Sequence, residues 1–282
     1  MRPLAAAPVK PTHRVFTMKI FSRCLLISAA TFIFAVAGCG LHTLFQARIA
    51  HSGDLIRSIS ALIGTLFSIV LGLLVSSSYT AFNSHQTDFN ALAAAAANID
   101  LLLKQSPEES EASRSLLKDV ILRILGRYWP SKRDFAVHEL SYKDLAGDIE
   151  ALLKINHRFQ AFKNVSRDDL NAIRQFSNHF ITIQSNIIRS LSNQIPSLLL
   201  VIVFGWACLL FFLYGILNGG DALSLSILFL GAVAIASANF LILELTHPCQ
   251  GIFTVSRTPF DLLLESLNKE AHADVSVIAA SP

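Results

Sequence analysis

Long apolar runs separated by polar segments dominate this chain of 282 residues. Four runs contain no Asp, Glu, Lys or Arg, and they cover residues 24–45, 58–82, 195–217 and 222–243. A helix of about 20 residues crosses a hydrocarbon core about 30 Å thick, and each run reaches that length. The pattern therefore predicts an integral membrane protein with four transmembrane helices.

The polar segment between the second and third runs, residues 83–194, holds most of the charged residues. At its start the apolar positions repeat at helical spacing, and this repeat predicts that the second transmembrane helix continues to about Lys104. The repeating positions are Phe82, Phe89, Leu92, Ala96, Ile99 and Leu103. Without a clear strand pattern, the sequence predicts an all-α fold. Two transmembrane hairpins, residues 24–82 and 195–245, flank an inserted helical cytoplasmic domain.

Local signals predict further helices outside the membrane. Residues 141–162 carry a helical pattern, and Ser166 followed three residues later by Asp169 is typical of a helix start. In the tail, residues 246–282, Thr258 and Pro259 suit the start of a short amphipathic helix. We expect that helix at the inner membrane interface or against the cytoplasmic domain.

Composition and charge agree with a membrane protein. Apolar residues make up 52% of the chain and charged residues 15%, whereas a soluble domain carries about 25% charge. Bases and acids nearly balance in the polar segment, which argues against nucleic-acid binding. Residues 1–23 are basic and contain no acid, so the positive-inside rule predicts cytoplasmic termini in a bacterial inner membrane and a short outer loop, residues 46–57. Arg48 and Arg57 in that loop favour the reverse orientation.

A ladder of small residues runs along the second apolar run at intervals of four. Its members are Ser60, Gly64, Ser68, Gly72 and Ser76. Small residues allow two helices to approach closely, whereas hydroxyl groups that face water suit the lining of a pore. The sequence leaves open whether the ladder is a helix-packing face or a pore face.

The first apolar run contains Val36-Ala37-Gly38-Cys39, which is similar to a bacterial lipobox. A translation start at Met18 would make this run a lipoprotein signal peptide, with Cys39 as the lipidated residue. The run continues past Cys39 to Phe45, which suits a retained transmembrane helix. Both interpretations stay open. No two of the four cysteines have the spacing of a metal site, and their pattern does not indicate a disulfide framework.

The segment after the fourth run contains the candidate site. Glu244 ends the apolar run, and a carboxylate at a membrane boundary either pairs with a base or a lipid headgroup or serves an ion or proton pathway. Arg257 and Arg189 are the expected bases. His247 would share the helix face of Glu244 and could couple to its protonation. The candidate residues of an ion pathway or gate are Glu244, His247, Pro248 and Gly251.

This segment resembles the bacterial bestrophin-like membrane proteins, and the resemblance covers roughly residues 20–270. Its most specific residues are Glu244, Leu245, Pro248, Gly251, Val255, Ser256 and Pro259. Support comes from Ala97-Asn98-Ile99-Asp100-Leu101, from Tyr128-Trp129-Pro130 and from the glycines of the second run. Thr246, His247 and Cys249 stand where the family pattern has Asp, Arg and Phe. The resemblance implies the family's membrane topology and, through the bestrophins, anion conduction.

Two functions follow from these observations. The first is an oligomeric anion channel, which requires a homo-oligomer because four helices are too few for a wide pore. The second is a membrane-anchored scaffold or sensor whose cytoplasmic domain binds a protein partner. The sequence contains no HExxH, Gly-x-Ser-x-Gly or Walker motif, so we expect neither an enzyme nor a metal or cofactor site. The expected partners are the lipid bilayer, further copies of the chain and, for a scaffold, a cytoplasmic protein.

Overall fold

The computed structural model describes residues 12–105, 107–129, 142–163, 165–192, 197–246, 248–249 and 252–278. These residues form eight helices and no strand, which confirms the all-α prediction for this part of the chain. The helices are α1 (Thr12–Leu44), α2 (Gln46–Leu103), α3 (Pro107–Tyr128), α4 (Tyr142–Gln160), α5 (Arg167–Ser192), α6 (Ser197–Leu217), α7 (Ala222–Leu245) and α8 (Thr258–Ile278).

Four segments of the described chain are long and apolar enough to cross a membrane. They are Phe21–Leu44, Gly53–Leu103, Leu198–Leu217 and Ala222–Leu245, and they contain or closely match the four predicted runs. With 58 residues, α2 is roughly 87 Å long at 1.5 Å per residue, so it extends far beyond a hydrocarbon core. Its end at Leu103 confirms the predicted continuation to about Lys104.

The prediction of an outer loop between the first two runs is wrong. Residues 46–57 are helical, because α2 begins at Gln46 and only Phe45 separates it from α1. The segment contains no Pro, and its one glycine, Gly53, is tolerated inside a helix at a modest cost. Charged residues suggested a loop here, but charge alone does not end a helix.

The chain divides into two compact units, of which the first consists of residues 1–82 and 195–254. Within it, α1 packs along α6 and α7. The apolar face of α2 packs against α6, with Phe67 and Leu74 in one cluster with Val203, Ala207 and Leu210. Lipid tails are as apolar as these side chains, so close fit and van der Waals contact stabilise this packing more than the hydrophobic effect does.

The second unit consists of residues 83–194 and 255–282, and in it α3 packs against α4 and α8, and α4 against α5. The sequence predicts the tail helix either at the inner membrane interface or against the inserted helical domain. Its contact with α3 agrees with the second position. The predicted stripe on α2 is buried from Phe89 onward, as its helical spacing requires, whereas its first member, Phe82, is half-buried. Its fully buried members are Phe89, Leu92, Ala96, Ile99 and Leu103.

The start of α5 has the predicted capping geometry. The Ser166 hydroxyl accepts a hydrogen bond from the Asp169 N–H at 3.1 Å, and the Asp169 carboxylate accepts one from the Ser166 N–H at 3.3 Å. These reciprocal bonds satisfy two donors that the first turn of a helix otherwise leaves unpaired. The predicted helix start at Ser166 is therefore confirmed.

Candidate functional site

Glu244 lies in the last turn of α7 and is completely buried, with 0% of its surface exposed. Its Oε1 accepts a hydrogen bond from the backbone N–H of Ile252, which closes the turn that follows α7. Within the described part of the chain, Oε2 is a buried oxygen without a hydrogen-bond partner. A buried carboxylate normally has several donors or a cationic partner, so this carboxylate is incompletely compensated.

The bases expected to pair with Glu244 have other partners. The Arg257 guanidinium lies 2.9 Å from the Asp261 carboxylate, and Arg189 donates a hydrogen bond to Asn186 at 3.1 Å. The headgroup interpretation is also wrong, because a carboxylate without exposed surface cannot reach lipid headgroups. The sequence identified Glu244 as unusual but could not show that the chain folds back over it.

The other candidate residues of this segment are only partly described. Pro248 is buried, and Cys249 is half-buried. Burial raises the pKa of the Cys249 thiol to about 12. His247 and Gly251 lie outside the described residues, so their predicted roles stay predictions. On the N-terminal side, the buried Asn239 amide donates a hydrogen bond to the Ile235 carbonyl at 3.0 Å, so it is satisfied within its own helix.

The small-residue ladder of α2 does not lie on one face. Ser60 is buried and Gly64 is half-buried, whereas Ser68, Gly72 and Ser76 are exposed. Each step of four residues advances about 40° beyond a full turn of a straight helix, so the ladder winds from the packed side to the uncovered side. Neither predicted interpretation describes all five residues.

The uncovered side of α2 in the membrane segment is rich in hydroxyl groups. Thr65, Ser68 and Thr80 are exposed, and each donates a hydrogen bond to the carbonyl four residues earlier, at 2.8–2.9 Å. Each bond uses the hydroxyl proton within the helix. The lone pairs of the hydroxyl oxygen stay on the outer side, where they can accept a hydrogen bond. Large apolar side chains alternate with these residues: Leu62, Leu66, Ile69 and Leu73 are also exposed.

The lipobox-like string lies inside α1, where the helix crosses α6 at short range. A Cβ atom at Gly38 would overlap the Phe212 carbonyl, and one at Gly215 would overlap the Ala35 carbonyl. Cys39 is buried at the same crossing. Small residues are needed wherever two helix backbones come this close, so packing of a retained helix accounts for the glycine of the motif.

The second unit contains two buried carboxylates: Asp148, which the sequence did not single out, and Asp100, which the sequence analysis named only as part of a family motif. Asp148 of α4 accepts hydrogen bonds from Arg123 at 2.9 Å, Arg127 at 3.1 Å and Gln184 at 2.6 Å. Asp100 of α2 has Arg114 at 2.8 Å and Lys104 at 3.1 Å. Each carboxylate thus has two cationic partners, which compensates for its desolvation.

Among the residues whose positions are described, no group of three or more His, Cys, Asp or Glu side chains could hold a metal ion. In the second unit the buried carboxylates Asp148 and Asp100 form ion-pair clusters, whereas the buried His85 ring lies 3.3 Å from the Ser190 hydroxyl. In the described part of the first unit, the buried carboxylate is Glu244, and exposed hydroxyl groups lie on the uncovered side of α2.

The sequence and the architecture were compared with those of known protein families and solved structures. The bestrophin-like domain model matches residues 29–260. A bacterial bestrophin homolog from Klebsiella pneumoniae has a similar fold, with TM-score 0.61, 15% identity and coverage of 88% of this chain and 95% of that chain. Two point variants of that homolog give TM-scores of 0.66 and 0.65 at 12% and 13% identity, covering 89% and 90% of this chain and 96% and 99% of theirs.

No curated protein matches the chain in sequence. At these low identities the solved structures show the fold alone, whereas the family model covers most of the chain. The four apolar helices and this match together lead to one conclusion: the chain is a multi-pass membrane protein and belongs to the bestrophin-like family.

Proposed function

We propose that the protein is a subunit of a homo-oligomeric ion channel in which the uncovered side of α2 lines a shared axis. The observation that carries the proposal is the set of exposed hydroxyl residues in the membrane segment of α2, opposite the side that packs on α6. Hydrocarbon cannot form hydrogen bonds with such groups, whereas water in a pore can. The resemblance to bestrophins favours anions as the permeant class.

The proposal requires self-assembly. In one subunit none of the described helices covers this side of α2, and several copies around an axis would enclose it. Closed rotational symmetry is the usual arrangement of identical subunits. The size of the complex in mild detergent tests this step, because a monomer would exclude a shared axis.

In this proposal Glu244 does not line the pore, because it is buried. It holds the turn after α7 through Ile252, and Pro248 lies in the same turn. Glu244→Gln keeps an oxygen acceptor but removes the charge. A change in the pH response or selectivity of the flux in this variant would assign the Glu244 charge a part in gating.

Flux through vesicles tests the channel directly. The purified protein in liposomes should release anions faster than empty liposomes do. Ser76→Cys at the uncovered side of α2 should then make the flux sensitive to a charged, water-soluble thiol reagent, since the native cysteines in the described spans are buried. Leu230→Cys, on the exposed apolar surface of α7, is the matched control and should be insensitive. A flux equal to that of empty liposomes would contradict the proposal.

A scaffold or sensor is the second candidate, and one observation favours it. Among its described residues, the second unit exposes leucines on four helices: Leu101 of α2, Leu122 of α3, Leu153 of α4 and Leu262 of α8. Exposed leucines are common singly, but a partner protein would bury them if they form one patch. Crosslinking through this unit in cells should then recover one specific protein, and no conductance would be needed.

A further inference from the structure

The turn after α7 carries two large apolar side chains that the protein does not cover. Ile252 is 61% exposed and Phe253 is 45% exposed. Of the described residues around them, Leu245, Pro248 and Val255 are buried, whereas Thr246, Cys249 and Thr254 are half-buried. Ile252 and Phe253 are thus the two exposed residues among those described between Leu245 and Val255, and we call them the apolar pair.

The hydrogen bond to Glu244 fixes the depth of the apolar pair. Glu244 lies in the last turn of α7, and its Oε1 accepts the Ile252 N–H. The distance between the backbone of Ile252 and the end of the transmembrane helix is therefore no greater than the length of one glutamate side chain. The chain leaves the helix, turns and returns to the level at which the apolar span ends.

Since the apolar span ends at Leu245, we expect side chains at this level at the boundary between the acyl chains and the headgroups. Large apolar and aromatic side chains favour this layer over water. On α7 the exposed large apolar side chains Leu230 and Val233 lie in the middle of the helix, and Ile252 and Phe253 are the next exposed large apolar residues among those described. The apolar pair is therefore a separate group of exposed apolar side chains at the end of the apolar span.

We infer that Ile252 and Phe253 are a membrane-interface anchor that inserts into the lipid boundary at the end of α7. Glu244 is the positioning residue, because its carboxylate holds the turn that presents the pair. The anchor restrains the chain at the point where it leaves the membrane span and enters the tail. This inference does not depend on ion conduction.

Depth-dependent quenching tests the anchor in the full-length protein. Phe253→Trp is introduced as a reporter after Trp129→Phe and Trp206→Phe, and the protein is placed in phosphatidylcholine vesicles brominated either near the headgroup or deep in the acyl chain. Leu230→Trp in the middle of α7 is the deep standard, and Leu153→Trp on α4 is the standard outside the span. The anchor predicts stronger quenching of Phe253→Trp by the shallow bromines, whereas Leu230→Trp should show the reverse preference.

Two results would overturn the anchor. Quenching of Phe253→Trp by aqueous iodide and by neither lipid would place the pair in water. Protection from iodide and from both lipids would mean that protein, such as a second copy of the chain, covers it. Should the tryptophan-depleted protein fail to fold, Phe253→Cys with a nitroxide label gives the same depth from its collisions with oxygen and with a water-soluble nickel complex, and the native tryptophans are kept.

The role of Glu244 has its own matched pair of variants. Glu244→Ala removes the acceptor of the Ile252 N–H. The ratio of molecules whose turn is held against the end of α7 to molecules whose turn is released should fall about tenfold, as expected for the loss of one hydrogen bond to a charged group. Glu244→Gln keeps the Oε1 acceptor and should retain the shallow quenching. Unchanged quenching in Glu244→Ala would show that Glu244 does not position the pair.

Discussion

Gly38 of α1 and Gly215 of α6 meet at a helix crossing where neither position has room for a methyl group. A Cβ at Gly38 would overlap the Phe212 carbonyl, and a Cβ at Gly215 would overlap the Ala35 carbonyl. One turn further along α1, the His42 Nδ1 lies 2.6 Å from the Ile216 carbonyl. Backbone contact and this polar contact thus hold the two helices together along their final turns.

Alanine at either glycine of this crossing should destabilise the first unit. In Gly38→Ala or Gly215→Ala the added methyl group must displace backbone rather than a flexible side chain, and overpacking of this kind costs about 1–3 kcal/mol. Thermal unfolding in detergent should show a lower Tm for both variants. Gly40→Ala is the control on the same helix, because a Cβ there has nothing within 4 Å. Equal Tm values for Gly38→Ala and Gly40→Ala would contradict the close crossing.

Asp148 should be the most sensitive charged residue of the second unit. Its side chain is 0% exposed, whereas Arg127 is 9% exposed, so Asp148→Asn leaves a guanidinium largely buried without its carboxylate. Breaking a buried ion pair from one side costs about 3 kcal/mol or more. Hydrogen exchange of the full-length protein should therefore show faster exchange across α3, α4 and α5.

Glu150→Gln is the matched control for Asp148→Asn. Glu150 lies on the same helix, is exposed and pairs with Lys154 at 2.7 Å. Solvent screens such a pair, so its removal should leave hydrogen exchange unchanged. Similar effects of the two substitutions would show that the Asp148 cluster does not stabilise the unit.

Cys249 should react with thiol reagents only slowly in the folded protein. Burial raises the pKa of its thiol from the ordinary 9.0 to about 12, so at pH 8 roughly one molecule in ten thousand carries the reactive thiolate. Maleimide labelling followed by mass spectrometry should find Cys249 unmodified at pH 8 and labelled after unfolding. Ser84→Cys, at an exposed position of α2, is the reactive control. Equal labelling rates at pH 8 would contradict the raised pKa.

The same shift has a consequence for stability. Between pH 9 and pH 12 the unfolded chain has lost the Cys249 proton while the folded chain keeps it. Stability falls with pH wherever the unfolded state binds fewer protons. The contribution of this thiol is therefore fully present below about pH 9 and decreases across that window. Cys249→Ser should flatten the alkaline part of the stability curve, and an unchanged slope would contradict the assignment.

The sequence predicts those features that depend on residues close together in the chain. The stripe from Phe89 to Leu103 follows from helical spacing, and the start of α5 follows from Ser166 and Asp169. In both cases the relevant partners lie within a few residues of each other or on one helix face. The four apolar runs are predicted for the same reason, since length and composition alone determine that a helix can span a bilayer.

Features that depend on distant residues could not be predicted. The Gly38 crossing requires α6 beside α1, and the Asp148 cluster requires three helices to converge. The ladder of α2 was expected on one face because its spacing is four, but the helical repeat of 3.6 winds it across both sides. Glu244 is visible in the sequence as an acid at a membrane boundary, but its complete burial depends on the turn that returns to Ile252.

The capping pair of α5 gives a local prediction with a sharp control. Ser166→Ala removes the acceptor for the Asp169 N–H, and loss of such a cap costs about 1 kcal/mol. Hydrogen exchange should become faster in the first turn of α5 and stay unchanged in α3. Ser115→Ala is the control, since the Ser115 hydroxyl only donates to the Ala112 carbonyl within α3 and alanine has the higher helix propensity. Faster exchange after Ser115→Ala, or none after Ser166→Ala, would show that the cap does not hold the start of α5.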